Sequence, residues 1–207
     1  MRLYPQALVG IGLTTLVLAG CAVADTAPTT SEPAPLIGLE LGEDGLGDAL
    51  LGSPPDSVVA DISALYGEPD HDSDWIVAEP NIYGSCPGSQ MRAIGWGSLL
   101  TIFIKDGTDD LGGRFYTYTY GYDYTRNVGG VDQRGLALTT AAGIGVGSTV
   151  GDLEAAYGDT VTIDGDIELD VWAFDITESS IGGLLSGPEA TDTVTLIELA
   201  AGCQVGE

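Results

Sequence analysis

Residues Gly52–Gly67 align without a gap on Gly143–Gly158, and seven of the sixteen positions are identical: Gly, Ser, Val, Asp, Ala, Tyr and Gly, in the same order. A chain that repeats itself at this length has to accommodate one supersecondary unit twice. Each copy reads as a short helix. Val58, Ile62, Leu65 and Tyr66 recur at i, i+4, i+7 and i+8, and Val150, Leu153 and Tyr157 at i, i+3 and i+7, so each helix carries one apolar stripe. Ser57 and Ser148 are candidate N-caps, and Thr149 with Asp152 has capping-box spacing. Gly67 and Gly158 stand where a left-handed C-cap is wanted, and Pro69 prevents continuation.

Strand patterns follow each helix. After the first they cover 74–79, 91–96, 99–105 and 114–122; after the second, 160–163, 169–176, 181–185 and 193–199. Asp164-Gly165 reads as a hairpin signal. The expectation is an α+β fold of two helix-plus-antiparallel-meander repeats sharing or abutting sheets. Residues 36–142 would form the first repeat and 143–207 a second, shorter one.

The N-terminus has a different character. Residues 1–20 contain no Asp or Glu, Arg2 supplies a positive charge, and the apolar stretch 7–19 is too short to span a bilayer. It ends in Leu18-Ala19-Gly20-Cys21, which resembles the lipobox of bacterial lipoproteins. The resemblance implies a signal peptide over 1–20, cleavage before Cys21, lipid on its thiol, and a protein held on the extracytoplasmic face of the cell membrane. Two acyl chains are the minimum for lasting attachment, since one binds only marginally. Residues 21–35 are the lipidated cysteine and a disordered tether rich in Ala, Thr, Ser and Pro, with a reach of roughly 20 Å.

Without Arg2 the chain holds 31 acidic and five basic side chains, a net charge of −26. Nucleic acid and anionic lipid surfaces are repelled by such a chain, so no nucleic-acid partner is expected. A basic envelope or secreted protein, or a cation, suits it. With Cys21 taken by lipid, Cys86 and Cys203 remain, an even pair in an oxidising compartment, and they are expected to form a disulfide. Closing so long a loop stabilises the fold by roughly 4–5 kcal/mol in the entropic model.

The motif Gly-x-Gly-Ser-Thr-Val-x-x-Leu-x-x-x-Tyr-Gly at 145–158 resembles that of uncharacterised lipoproteins of actinobacteria. The tandem layout is similar to the β-lactamase-inhibitor-protein-like fold and to small outer-membrane-assembly lipoproteins. That likeness implies protein binding through an open sheet face and carries over no inhibitory residue.

Little points to chemistry. His71, the only histidine, lies in the polar run Asp70-His71-Asp72-Ser73-Asp74, and a nucleophilic site needs a positioned base. Asp70, Asp72 and Asp74 open like a calcium loop, but Trp75 and Asn81 replace the Gly and Glu that the loop requires. Asp164, Asp166 and Glu168 are similarly spaced. No catalytic residue, metal site or cofactor is expected, and the chain is read as no enzyme.

The most informative stretch is 115–124, in which Tyr116, Tyr118, Tyr120 and Tyr122 alternate with other residues and would share one face of a strand. Leu100, Ile102 and Ile104 offer the helices an apolar face, while Leu99, Thr101, Phe103 and Lys105 form a mixed one. Register decides which set the tyrosines join, and so whether they are core or an exposed binding face. The expected role is a membrane-anchored, protein-binding or envelope-associated module. The alternatives are a lipoprotein that binds a cation or small ligand and, behind that, an unrecognised hydrolase. Replacing Cys21 with Ser should leave the precursor uncut or release the protein from membranes. A processed mutant that still sediments with membranes would refute lipid anchoring at that residue.

Overall fold

The computed structural model describes residues 39–107, 112–123, 128–129, 134–199 and 203; Cys21 and the tether lie outside them. Residues Leu36–Glu207 form a unit by themselves. Three two-residue strands come first, β1 (Leu41–Gly42), β2 (Gly45–Leu46) and β3 (Ala49–Leu50), paired in that order. Helix α1 (Pro55–Tyr66) precedes β4 (His71–Asp72), β5 (Ile76–Val77), β6 (Gln90–Trp96), β7 (Leu99–Lys105) and β8 (Arg114–Tyr120). The small pair β9 (Tyr122–Asp123) and β10 (Val128–Gly129) follows. Helix α2 (Val150–Tyr157) precedes β11 (Val161–Asp166), β12 (Val171–Ile176), β13 (Ile181–Leu185) and β14 (Val194–Leu199). No helix among the described residues is long and apolar enough to cross a membrane.

The two meanders make one antiparallel, nine-stranded sheet, β11-β12-β13-β14-β8-β7-β6-β4, with β5 also on β6. The α+β expectation of a shared sheet therefore holds, and the sharing is through the last strand of each meander. Ile197 faces Tyr120 and Glu198 faces Thr119 across that junction.

Both helices cover the same face of the sheet, here called the front. Val58 and Ile62 of α1 and Val150 and Leu153 of α2 are fully buried there, with Ile94, Trp96, Leu99, Phe103, Phe115, Tyr118, Tyr120, Phe174 and Ile197. Leu41, Leu46 and Ala49 of the small N-terminal sheet close the same core. The strands of this element are too short to show alternation, and its trace in the sequence is the Leu and Gly spacing from Leu39 to Gly52.

The helix boundaries differ slightly from expectation. α1 starts at Pro55 behind Pro54, since proline fits the first helical position, where no N–H is needed. Ser57 lies inside the first turn and donates to the Pro54 carbonyl (2.8 Å). α2 is capped by Thr149 rather than Ser148, and the expected box with Asp152 is complete. Gly67 and Gly158 do take positive φ, 79° and 56°, but with extended ψ in place of the left-handed cap.

The hairpin also turns later than expected. Asp164 and Gly165 are inside β11, opposite Ala173 and Trp172. The turn falls at 167–170, where Asp166 Oδ1 accepts the N–H of Glu168 (2.8 Å) and of Leu169 (3.1 Å) and Asp170 takes a φ of 53°. Gly165 is glycine because the Trp172 indole lies over it: a Cβ there would come within 2.3 Å of the ring.

The tyrosines do not share a face. Thr117 pairs with Ile102 and Phe115 with Phe103, so Tyr116 is an extra residue in β8. That shift puts Tyr118 and Tyr120 beside Thr101 and Leu99 on the front, 0% and 1% exposed, and leaves Tyr116 half-buried against the back. Tyr118 and Tyr120 thus join the mixed set, but that set is the one the helices cover. Its polar member is accommodated, because Thr101 is buried and donates to the Ile94 carbonyl (3.0 Å). Lys105, at the strand end, extends over the Trp75 ring. The Tyr118 hydroxyl donates to the Gly42 carbonyl (2.9 Å) and ties the small N-terminal sheet to the core. Truncation of Tyr118 to Ala should cost about 3–5 kcal/mol in chemical denaturation, and Tyr118→Phe about 1–2 kcal/mol through the lost hydrogen bond. A loss below ~1 kcal/mol for the alanine variant would contradict the core placement.

Candidate functional site

The back of the sheet is built differently in its two halves. Behind β6 and β7, Met91, Ala93, Leu100, Ile102 and Ile104 are covered by the chain between β5 and β6, which brings Ala78, Tyr83 and Cys86 onto them. Cys86 is bonded there to Cys203, with Cα atoms 4.3 Å apart across 117 residues. Because Cys203 follows β14, the bond fastens the end of the second meander to the back of the first. The corresponding connection in the second meander is only the short turn from β11 to β12. Among the described residues no element lies behind β11–β13.

Register places that uncovered face in rows that run across the strands. One row is Thr162, Asp175, Gly182, Glu198 and Thr119. The next is Asp164, Ala173, Leu184 and Leu196. Beyond it, at the hairpin, Asp166 stands opposite Val171. Carboxylates therefore flank an aliphatic stripe on both sides. A shallow depression of 290 Å³ opens at the hairpin end of these rows, lined from the back by Val171, Leu184 and Leu196 and from the front by Trp172 and Leu185. Exposed aliphatic side chains gather here: Leu184 is 38% exposed, Val171 48%, and Leu169 and Ile167 at the hairpin tip 71% and 81%.

Gly182 has a particular place in the first row. A side chain there would meet Asp175 Oδ1 at 2.9 Å, so its absence lets the Asp175 carboxylate lean inward between the strands, toward Glu198. Protein crowding raises the Glu198 carboxyl above the usual glutamate range, and the charge of Asp175 adds to that rise. Nothing on this half offsets the charge, for residues 135–207 hold thirteen acids and no Lys, Arg or His.

The described basic residues all belong to the first half, and each has an assigned partner. Arg92 makes a forked pair with Asp72 (2.9 and 2.5 Å). Arg134 bonds Asp70 and also donates to the Tyr66 and Glu68 carbonyls at the end of α1. Arg114 lies 3.7 Å from Asp106, and Lys105 is stacked on Trp75. These pairs account for the carboxylates spaced like a calcium loop. The Arg134 hydrogen bond holds Asp70 below the usual carboxylate range, and the Arg92 hydrogen bond does the same for Asp72. Asp74 is drawn into the turn, its N–H donating to Asp72 Oδ1 (2.9 Å). Among the described residues, no cluster of His, Cys, Asp and Glu forms a metal cage. His71 Nε2 lies 2.6 Å from the Tyr83 hydroxyl, so it helps hold the covering chain to the back of the first half.

The expected tyrosine face is not assembled: Tyr118 and Tyr120 are core, Tyr116 is partly covered on the back, and the Tyr122 side chain lies outside the described residues. The rows on β11–β14 were missed, although the alternation Thr162-x-Asp164-x-Asp166 and Val171-x-Ala173-x-Asp175 carried the signal. A second cleft of 410 Å³ lies between the N-terminal sheet and α2, lined by Glu40, Glu43, Asp44, Thr140 and Tyr157. No family model, curated protein or solved structure matches the chain.

Because the folded protein raises the Glu198 carboxyl above its unfolded value, the charged form destabilises the fold. That cost is present above the raised value and disappears as the pH falls through it toward the unfolded one. Glu198 is exposed, so solvent screens the effect, and Glu198→Gln should raise Tm at pH 7 by only about 1 °C, with the gain gone near pH 4. A thermal melt in which Glu198→Gln is destabilising at pH 7 would contradict the crowding.

Proposed function

We propose that the chain is a lipid-anchored, extracytoplasmic protein-binding module that acts by binding rather than by turnover. One observation carries the reading: among the described residues the sheet is covered on both faces in its first half and only on the front in its second, where Val171 and Leu184, flanked by carboxylates, are left to solvent. The Cys86–Cys203 bond supports an oxidising compartment, and Leu18-Ala19-Gly20-Cys21 supports the anchor.

The module is two copies of one unit, and paired details support this. Gly52 donates to the Phe115 carbonyl and Phe115 to the Ser53 carbonyl; Gly147 donates to the Val194 carbonyl and Val194 to that of Ser148. Tyr116 is an extra residue immediately after Phe115, and Thr195 is one immediately after Val194. The last residue of each helix reaches back to the chain that leads into it. Tyr66 accepts from the Leu39 N–H (3.1 Å), and Tyr157 donates to Thr140 Oγ1 (2.8 Å). On this correspondence Gly52-Ser53 matches Gly147-Ser148, and α2 has lost about one turn relative to α1. The gapless alignment is then correct at the helix ends and displaced at their starts. The resemblance to the β-lactamase-inhibitor-protein-like fold rests on this same layout.

A second reading, a lipoprotein that binds a small cationic ligand, is favoured by the cleft beside Glu40, Glu43 and Asp44. Crosslinking in intact cells followed by capture of the anchored protein distinguishes the two. The first reading expects one basic envelope or secreted protein in stoichiometric yield. Recovery of the chain alone, with a small amine bound in calorimetry, would replace it with the second.

A further inference from the structure

We propose that the back of β11–β13 docks an extended cationic segment of a partner protein, with the side-chain pattern cation-x-aliphatic-x-cation. The proposal rests on the protein-binding reading above and adds the place and the chemistry of recognition.

The spacing carries the pattern. Successive rows on one face of a sheet are two residues apart along each strand, roughly 7 Å. An extended peptide laid along the strands presents alternate side chains at the same interval of roughly 7 Å. Its middle aliphatic group then enters the 290 Å³ depression beside Val171, Leu184 and Leu196. One flanking cation reaches Asp175 and Glu198, and the other reaches Asp166 and Asp170. A cation between Asp175 and Glu198 also offsets the Asp175 charge, which adds to the rise that crowding imposes on the Glu198 carboxyl.

Charge selects the occupant. The tether and leader junction at 22–38 and the tail at 200–207 contain no Lys or Arg, so neither end of the chain supplies the two cations. A second copy would bring its own acidic half against this one, and four of the five mature cations, Arg92, Lys105, Arg114 and Arg134, are already engaged. A basic partner protein meets both requirements, since complementary charge steers encounter and the aliphatic contact supplies affinity.

The test uses the full mature chain in detergent and three peptides on a threonine scaffold: Lys-Thr-Leu-Thr-Lys, the same peptide with Thr for Leu, and one with Glu for both Lys. The first should bind most tightly, with loss of Leu or reversal of charge weakening it by about tenfold or more. Asp175→Asn with Glu198→Gln, and separately Leu184→Thr, should each weaken the first peptide to a similar degree while Tm holds or rises. Equal binding of the Leu and Thr peptides, or affinity unchanged in both variants, would overturn the site. The partner captured in cells separates this from the broader reading. If it is retained by the Asp175, Glu198 and Leu184 variants, this face is wrong and the protein-binding module stands; if no partner is captured by the wild-type chain, the module itself falls.

Discussion

The pairing of β8 with β14 is the contact on which the remainder of the structure depends. Each meander alone is a small sheet with one helix on it, too small to bury a substantial core. Joined at Ile197–Tyr120 and Glu198–Thr119, the two become one sheet, and α1 and α2 lie on the same side of it over a continuous apolar layer. The Cys86–Cys203 bond reinforces that junction from behind, because Cys203 leaves β14 and is held on the back of β6 and β7.

The extra residue in each last strand decides what faces where. Tyr116 lets β8 present Phe115, Tyr118 and Tyr120 all to the helices, which strict alternation would forbid. Thr195 does the same for Val194 and Ile197 in β14. Both strands that form the junction thereby turn apolar and aromatic side chains to the front. Their back faces are left with Thr117, Thr119, Leu196 and Glu198.

Charge is partitioned over the same frame. Arg92 and Arg134 neutralise Asp72 and Asp70 around the first meander and fix its edge and the end of α1. The second half has no counterpart to these cations, and its back face carries Asp175 and Glu198 in one row with no basic side chain in that half to pair them. The difference between the halves comes from one connection, long between β5 and β6 and short between β11 and β12.

Local chemistry was legible in the chain by itself. The apolar stripes of Val58, Ile62, Val150 and Leu153, the Thr149–Asp152 box, most strands and the Cys86–Cys203 pairing follow from periodicity, capping and the count of cysteines, which are properties of short segments or of composition. Which face of the sheet the helices cover was not legible, nor was the burial of Tyr118 and Tyr120. An alternating strand has two faces of equal standing, and one inserted residue exchanges them. Asp70 and Asp72 looked free in sequence because Arg134 and Arg92 lie 64 and 20 residues away. The back of β11–β13 became a surface only once long-range pairing had set its rows in register and the covering chain had gone to the other half. Sequence determined the parts and their caps; tertiary structure decided which apolar face was buried and which acidic one was left in water, because that choice depends on strand neighbours far apart in the chain.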